Sequence, residues 1–235
     1  MLIGQSLFGR IRKIGEKFSP TKIAEKVNRT ITGTQQAPGQ QLNQEEDELK
    51  QMNEQSYKKP EERQDHINNY SLDRSSSNDE YAVYVNHKEK KVRHIHRGTA
   101  SLGDVIDDVS VLVGNDRSTG KMKRHEKYYA ATKSKYEGYS GTHSGHSLGG
   151  LVSRRLAKDN NETSINFNEA VGFSSEDLKN AKKCKMFGNR PAYCTKHTNI
   201  RTSGDVVSAM AGGYGKTKVF KGKGGILKQH KLNNF

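Results

Sequence analysis

Residues 141–157 read GTHSGHSLGGLVSRRLA, and the central part, GHSLGG at residues 145–150, decides the interpretation of the fold. It fits the pattern G-x-S-x-G, in which a serine lies on a tight turn between a strand and a helix with its hydroxyl projecting outward. Glycines flank such a turn because the strained serine leaves little room for neighbouring Cβ atoms. Amides at the start of the helix can stabilise the oxyanion that forms when the serine attacks a carbonyl. The pattern predicts a serine hydrolase.

The residues on either side of Ser147 support only part of this pattern. After Ser147 the apolar residues recur at the spacing of an amphipathic helix; they are Leu148, Leu151, Val152 and Leu156. Before it, a buried strand should be rich in valine and isoleucine, whereas residues 139–144 (YSGTHS) are small and polar. An ordinary glycine-rich turn that opens a helix therefore stays open as the alternative.

The composition limits the class of protein. The 235 residues are 31% hydrophobic, which leaves room for one domain of about 150–200 residues plus extensions. No apolar run approaches the roughly 18–20 residues of a membrane span, and residues 1–18 do not have the charge pattern of a secretory signal. Cys184 and Cys194 could form a disulfide or stay reduced. No Cys/His pattern has the spacing of a structural zinc site, so we expect neither a metal nor a cofactor.

The charge divides the chain into three segments. The net charge of +14 will draw the molecule to polyanions or anionic membranes. Residues 1–30 have the spacing of a basic amphipathic helix, which could lie on an anionic membrane or pack on the main domain. Residues 31–79 are polar and acidic, which predicts a flexible linker, helical around residues 41–56. The folded domain is expected over residues 80–235.

Strands and helices alternate within this domain. The residue pattern predicts strands at 81–85, 92–96, 165–171 and 198–202. It predicts helices at 102–113, at the start of 121–139 and directly after Ser147. This alternation is typical of an α/β fold with a largely parallel sheet flanked by helices. The basic stretch at residues 216–228 could contact phosphates or be a solvated loop.

A nucleophilic serine needs a base, and the base needs a carboxylate to orient it. In α/β-hydrolases these residues follow in the chain order serine, acid, histidine. Asp205 comes directly after a predicted strand, and His230 is the only histidine beyond Asp205. Two alternatives remain open: Asp205 could be a turn aspartate, and His230 could be a solvated histidine in a basic tail.

Residues 81–235 resemble the fungal-type, or class 3, lipases in a series of motifs that occur in the family's order. These motifs are HRGT at residues 96–99, the acidic residues Asp104, Asp107 and Asp108, the GHSLGG elbow, NEAVG at residues 168–172, DVV at residues 205–207 and His230. His96 stands where the family usually has an aromatic residue. The segment 100–112 is too short and too acidic to be identified as the family's lid.

The resemblance implies an α/β-hydrolase-like fold and a serine esterase of the lipase or phospholipase type. Ser147 would be the nucleophile, Asp205 the orienting acid and His230 the general base. The backbone amides of Thr99 and Leu148 would form the oxyanion hole, to which the hydroxyl of Thr99 could also donate. The implied substrate is a lipid or other ester. The resemblance does not extend to residues 1–30, whose basic amphipathic pattern alone suggests an anionic membrane surface.

A second hypothesis is a structural or interaction protein that keeps the lipase scaffold without its activity. Such a protein would bind a polyanion, a membrane or an assembly partner, for example in a virus particle. Nucleic acid is not expected as a partner because no RNA-binding motif or zinc finger is present. The two hypotheses differ in whether Ser147, Asp205 and His230 are aligned in space.

Overall fold

The computed structural model describes the chain over residues 41–99, 120–170, 175–185, 190–205, 208, 214–222 and 230–235. All of these belong to one unit, Pro38–Phe235. The helices expected within residues 1–30 and over residues 102–113 lie outside the described residues. Within the described part, no helix is long and apolar enough to cross a membrane.

A mixed, mostly parallel sheet forms the centre of the fold. Its described strands are β1 (His66–Ile67), β2 (Tyr70–Leu72), β3 (Tyr81–Asn86), β4 (Lys91–His96), β5 (Ser140–Gly145), β6 (Thr163–Phe167), β7 (His197–Thr202) and β8 (Lys216–Phe220). The strands pair in chain order, antiparallel from β1 to β4 and parallel from β4 to β8. The predicted α/β fold with a largely parallel sheet is confirmed.

Helices precede the sheet and fill its parallel connections. They are α1 (Gln44–Ser56), α2 (Gly120–Lys135), α3 (Leu148–Asn160), α4 (Ser175–Lys185) and α5 (Tyr193–Lys196). The predicted apolar residues of α3, Leu151, Val152 and Leu156, are all buried. Helix α3 ends at Asn161, whose left-handed backbone (φ 56°) lets its amide bond to the last carbonyls, a conformation that asparagine tolerates well.

The helix expected around residues 41–56 is present as α1, but it packs on the core of the domain, so the described residues 41–79 do not form the flexible linker that was predicted. The helix begins with a capping box in which Asn43 accepts from the Glu46 amide at 2.9 Å and Glu46 accepts from the Asn43 amide at 3.0 Å. Two of its side chains, Leu49 and Met52, are fully buried in the core. Strands β1 and β2 follow it, and the domain therefore starts before residue 80.

The sheet is buried on both faces because its strands alternate between two apolar clusters. On β3, Ala82 and Tyr84 pack with Leu49 of α1. The intervening Tyr81 and Val83 belong to the cluster of the opposite face. Helices α2 and α3 contact each other in a third cluster, which is made of Met122, Tyr129, Val152 and Leu156. Burial on both faces is the environment expected of a parallel α/β sheet.

Strand β5 forms although its sequence, SGTHSG, is polar. Asn53 of α1 donates from Nδ2 to the Ser144 hydroxyl at 2.7 Å, and Ser144 donates to the backbone oxygen of Ile165. Ser144 is completely buried. A buried polar side chain is tolerated when it is hydrogen-bonded in this way, so the departure from an apolar strand is compensated by α1.

The structure decides two questions that the sequence left unanswered in the last third of the chain. Cys184 and Cys194 form a disulfide with a Cα–Cα distance of 5.5 Å, which links the end of α4 to α5. Residues Lys216–Phe220, within the basic stretch, form β8 and pair with β7. That part of the basic stretch is therefore a strand and not a loop.

Candidate active site

Ser147 lies at the turn between β5 and α3 in a strained backbone conformation. Its φ is 56° and its ψ −128°, a region that non-glycine residues rarely adopt. The backbone around it holds this conformation: the Ser147 amide donates to the Phe167 oxygen at 3.2 Å, and the Ser147 oxygen accepts from the amides of Gly150 and Ala170, each at 2.9 Å. The strand–serine–helix turn predicted from the sequence is present.

The glycines of the elbow are required because the chain segments approach each other closely. A Cβ at Gly145 would lie 2.3 Å from the carbonyl of Gly149, and a Cβ at Gly149 would lie 1.9 Å from the carbonyl oxygen of His96. Contacts this short cannot be relieved, since they are to backbone atoms. The G-x-S-x-G spacing thus reflects packing of the elbow against the end of β4.

Asp205 and His230 form a buried pair. The carboxylate follows β7, and its Oδ1 lies 2.9 Å from Nδ1 of His230. The other oxygen of Asp205 accepts from the amide of Ser208 at 3.2 Å. Both side chains are almost inaccessible, with relative exposures of 0% and 2%. Because the carboxylate accepts at Nδ1, the lone pair of the neutral imidazole lies on Nε2.

Two buried polar atoms of this site have no hydrogen-bond partner among the described residues: the Ser147 hydroxyl and Nε2 of His230. These are the two atoms that the serine–histidine bond of a complete triad would join. Leaving a buried polar atom unpaired costs about 1–3 kcal/mol. The site is therefore built with the histidine–acid bond formed and the serine–histidine bond not formed.

His146, beside Ser147 in the elbow, connects Ser147 to His230. Its Nε2 lies 2.6 Å from the backbone oxygen of His230, and its Nδ1 lies 2.7 Å from the Tyr57 hydroxyl. A carbonyl oxygen only accepts, so Nε2 carries the proton and the Tyr57 hydroxyl donates to Nδ1. The rings of His146 and His230 lie 4.8 Å apart. Tyr57 and His146 were missed in the sequence because Tyr57 fell in the predicted linker and His146 was the variable position of the motif.

Burial keeps His146 and Tyr57, the two side chains of this connection, uncharged. Burial lowers the pKa of His146 to about 3, with a further lowering from the neighbouring His230. Burial likewise raises the pKa of the Tyr57 hydroxyl well above its usual range, although the Gly98 amide donates to it and acts in the other direction. Tyr57 therefore stays protonated and His146 stays neutral near pH 7.

The segment that carries Thr99 runs against the elbow. A Cβ at Gly98 would lie 2.5 Å from the backbone oxygen of His146 and 3.3 Å from Cβ of Ser147. Thr99, the next residue, is half-buried, and Leu148 is the first residue of α3. The structure thus places both the stretch before Thr99 and the first residue of α3 next to the serine.

The buried acid Glu169 packs against the elbow. The carboxylate of Glu169 lies 2.7 Å from Nε of Arg154 and 3.1 Å from Nε2 of His197, and it accepts from Asn166 at 2.9 Å. Burial raises the pKa of Glu169, but Arg154 and His197 outweigh it, and the net effect is a lowered pKa. A Cβ at Gly150 would lie 2.9 Å from Cγ of Glu169. This charged cluster fixes the loop that bonds to the Ser147 backbone.

No family model matches the sequence, and no curated protein matches it significantly. Among solved structures the chain is similar to a triacylglycerol lipase whose catalytic centre is described as a serine protease triad; the TM-score is 0.52 and the identity 15%, over 79% of this chain and 82% of that one.

Two further solved structures resemble the chain. The Lip2 lipase from Yarrowia lipolytica has a TM-score of 0.49 at 17% identity, over 80% of this chain and 85% of that one. A triacylglycerol lipase from Penicillium expansum has a TM-score of 0.44 at 14% identity, over 76% and 80%. Similarity at such identities concerns the fold alone. The chain has the α/β-hydrolase-like fold that is found in a triacylglycerol lipase.

Proposed function

We propose that the protein is a serine-dependent carboxylic ester hydrolase that acts on lipid or other ester substrates through an acyl-enzyme on Ser147. The observation that carries this proposal is the buried Asp205–His230 pair, whose histidine is bonded through its backbone to the residue beside the strained serine. The lipase-like fold supports the same conclusion. A nucleophile, a base and an orienting acid are the groups that acyl transfer requires.

In the proposed acylation step, His230 Nε2 takes the proton from the Ser147 hydroxyl as Oγ attacks the carbonyl carbon of the ester. Asp205 keeps the imidazole in the required tautomer and stabilises the imidazolium that forms. For this transfer Oγ and Nε2 must approach to about 2.6–3.2 Å. Neither atom has another hydrogen-bond partner among the described residues, so no bond seen there has to break.

The backbone amides of Thr99 and Leu148, together with the hydroxyl of Thr99, are proposed to stabilise the oxyanion of the tetrahedral intermediate. His230 then returns its proton to the leaving alcohol, and the acyl group stays on Ser147. In the second half of the reaction, water attacks the acyl carbon while His230 accepts its proton. The bond between the acyl carbon and Ser147 Oγ then breaks, Oγ takes the proton back from His230, and the acid product leaves. The mechanism uses only these side chains and amides, with no cofactor.

The test is hydrolysis of a short and a long p-nitrophenyl ester, together with labelling by a fluorophosphonate that reacts only with an activated serine. Wild type should turn over the ester and be labelled at Ser147. Ser147→Ala should lose both activities, by at least about 10⁴-fold in turnover. Ser140→Ala is the matched control and should behave as wild type, because Ser140 is an exposed serine at the start of β5, the strand that leads to Ser147.

The unformed serine–histidine bond also favours a second candidate, a lipase-like structural or interaction protein with little or no catalysis. That candidate predicts neither turnover nor labelling in a folded protein, even with anionic vesicles present. Labelling of Ser147 at a rate that falls strongly in His230→Ala would instead exclude it, because labelling requires the base to reach the serine.

We further propose that residues 1–30 and the net charge of +14 direct the protein to anionic lipid surfaces, which favours phospholipids among its substrates. Deletion of residues 1–30 should weaken binding to phosphatidylserine vesicles and leave turnover of a soluble ester unchanged. Vesicle binding that is unchanged by the deletion would contradict this part of the proposal.

A further inference from the structure

Four histidines are buried together on the face of the sheet that packs against α2. His94 and His96 are two residues apart on β4, His143 lies on β5 in register with His94, and His125 lies on α2. We call them the histidine cluster. All four are at most 1% exposed. Neutral histidine is a costly residue to bury without a polar partner, and none of the proposed catalytic steps uses these side chains.

Three members of the histidine cluster form a hydrogen-bonded chain that ends on a carboxylate. Nδ1 of His125 lies 3.0 Å from Nδ1 of His96, Nε2 of His96 lies 3.0 Å from Nδ1 of His143, and Nε2 of His143 lies 2.8 Å from Glu162. Because the ionised carboxylate only accepts, each imidazole donates towards Glu162. Nε2 of His125 is then left as a buried acceptor, and it has no partner among the described residues.

The fourth histidine, His94, is hydrogen-bonded through one of its ring nitrogens. Nδ1 of His94 lies 2.6 Å from the hydroxyl of Tyr81, and its ring stacks on that of His143 at a centroid distance of 4.8 Å. His94, His143 and Glu162 each place a ligand atom within 4.8 Å of the other two. Among the described residues this is the group whose donors and spacing suit a metal ion.

We propose that His94, His143 and Glu162 bind a divalent transition metal ion of the zinc type. Two imidazole nitrogens and one carboxylate are a donor set that Zn²⁺ prefers. Bonds of about 2.0–2.2 Å in a tetrahedral site put ligand atoms roughly 3.3 Å apart. The side chains must therefore close around the ion, and Glu162, whose side chain is 18% exposed, has the freedom to do so. Water from the exposed side completes the coordination.

The surroundings of the two imidazoles are those of metal ligands. A histidine that binds a metal through one nitrogen usually donates from the other to a neighbouring acceptor. Here the Tyr81 hydroxyl stands at Nδ1 of His94, and Nε2 of His96 stands at Nδ1 of His143. Metal on Nε2 of His143 displaces the proton there, and the chain reverses: His143 donates to His96, and His96 donates to His125. Each of the three imidazoles keeps one proton, so the shift neither takes up nor releases a proton.

The neighbours of the Glu162 carboxylate connect the site to the protein surface. Tyr129 donates to the second oxygen of Glu162 at 2.8 Å, and Lys133 lies 3.8 Å from it. Tyr129 and Lys133 line a surface cavity of about 660 Å³. Lys133 is exposed and can move aside for a cation. The site does not depend on the proposed esterase activity, since Ser147 belongs to neither the donor set nor this cavity.

The first experiment is equilibrium dialysis of the full chain, stripped with a chelator, against ZnCl₂, followed by metal analysis and a thermal melt. Wild type and Ser147→Ala should both bind about one ion per chain and melt at a higher temperature with zinc. Glu162→Gln should bind more weakly by more than the 10–100-fold that loss of an outer partner of a metal ligand typically costs. Glu137→Gln, an exposed acid of the same cavity, is the control and should bind as wild type.

A second measurement uses only the wild-type chain, so it holds even where a variant fails to fold. With histidines labelled by ¹⁵N, zinc should shift the Nε2 resonances of His94 and His143 and leave those of the exposed His66 and His87 in place. Equal binding by Glu162→Gln and Glu137→Gln, shifts confined to exposed histidines, or no binding at all would each overturn the proposal.

Discussion

The ring of His146 donates from Nε2 to the backbone oxygen of His230, 2.6 Å away, so the neighbour of the nucleophile holds the main chain of the proposed base. Tyr57 holds the other nitrogen of the same ring. We expect a group so arranged to act on the proposed reaction through the position of His230. Positioning of this kind matters because a displacement of about 1 Å can cost roughly 100-fold in rate.

We expect His146→Phe to lower kcat by about 100-fold with little change in KM, since the ring is kept while the donor to His230 is lost. His146→Gln should recover much of the rate because an amide can donate to the same carbonyl. The free energy of unfolding should fall by about 1–3 kcal/mol in the phenylalanine variant. Equal losses of kcat in both variants would show that the hydrogen bond is not what matters.

The stability of the protein should depend on pH through His146. Burial lowers the pKa of His146 to about 3 in the folded state, while an unfolded histidine has a pKa of about 6.5. Below about pH 6.5 the unfolded chain takes up a proton that the folded chain refuses, so stability falls as the pH drops towards 3. Urea unfolding of His146→Gln, measured from pH 7 to pH 4, should show a shallower decline than wild type.

Asp73 joins the end of α2 to the turn before β3. Burial raises its pKa, but hydrogen bonds from Lys135, Ser75, Ser76 and Tyr136 outweigh burial and hold the pKa well below its usual range. The stabilisation is thus complete above the unfolded pKa of about 3.9 and is lost as the pH falls below it.

Asp73→Asn should accordingly destabilise the protein at pH 7 by about 1–3 kcal/mol and much less at pH 2. Asp65→Asn removes an exposed partner of Arg74 and should cost less than about 1 kcal/mol. Unfolding curves at the two pH values provide the measurement. An equal loss of unfolding free energy for Asp73→Asn at both pH values would contradict the ionic explanation.

Thr99 offers a test of the proposed oxyanion hole. Thr99→Val keeps the shape and the backbone amide but removes the hydroxyl, and we expect kcat to fall by about 10²–10³-fold. Thr99→Ser should retain most of the rate. Single-turnover acylation by a p-nitrophenyl ester measures the step directly. Acylation by the valine variant at the wild-type rate would restrict the role of Thr99 to its backbone.

The elements that follow a strong local pattern could be predicted from the sequence. The hairpin of β3 and β4 alternates β-branched and aromatic residues, and α3 repeats its apolar residues at helical spacing. Asp205 could be found because it follows a strand directly, and its contact with His230 agrees with the expected chain order. These signals are local in sequence, which is why one chain suffices to recognise them.

The helix around residues 41–56 was predicted, but the packing of the region from α1 to β2 on the sheet was not, because this region contributes few apolar side chains to the core. Leu49 and Met52 are the deeply buried apolar residues of α1, among glutamates and glutamines. What holds α1 in place is largely polar, such as the bond from Asn53 to Ser144 across 91 residues of sequence. The proposed metal ligands share this property, since His94, His143 and Glu162 are far apart in sequence and the sheet brings them together.

The strand order has a consequence for how the protein is made. Because strands β1 to β8 pair in the order in which they occur along the chain, each new strand meets an edge that already exists when it leaves the ribosome. Domains tend to fold from the N-terminal side during synthesis. The serine turn can therefore form early, while Asp205 follows β7 and His230 follows β8, so the nascent chain cannot assemble the proposed hydrolytic centre until all eight described strands have been made.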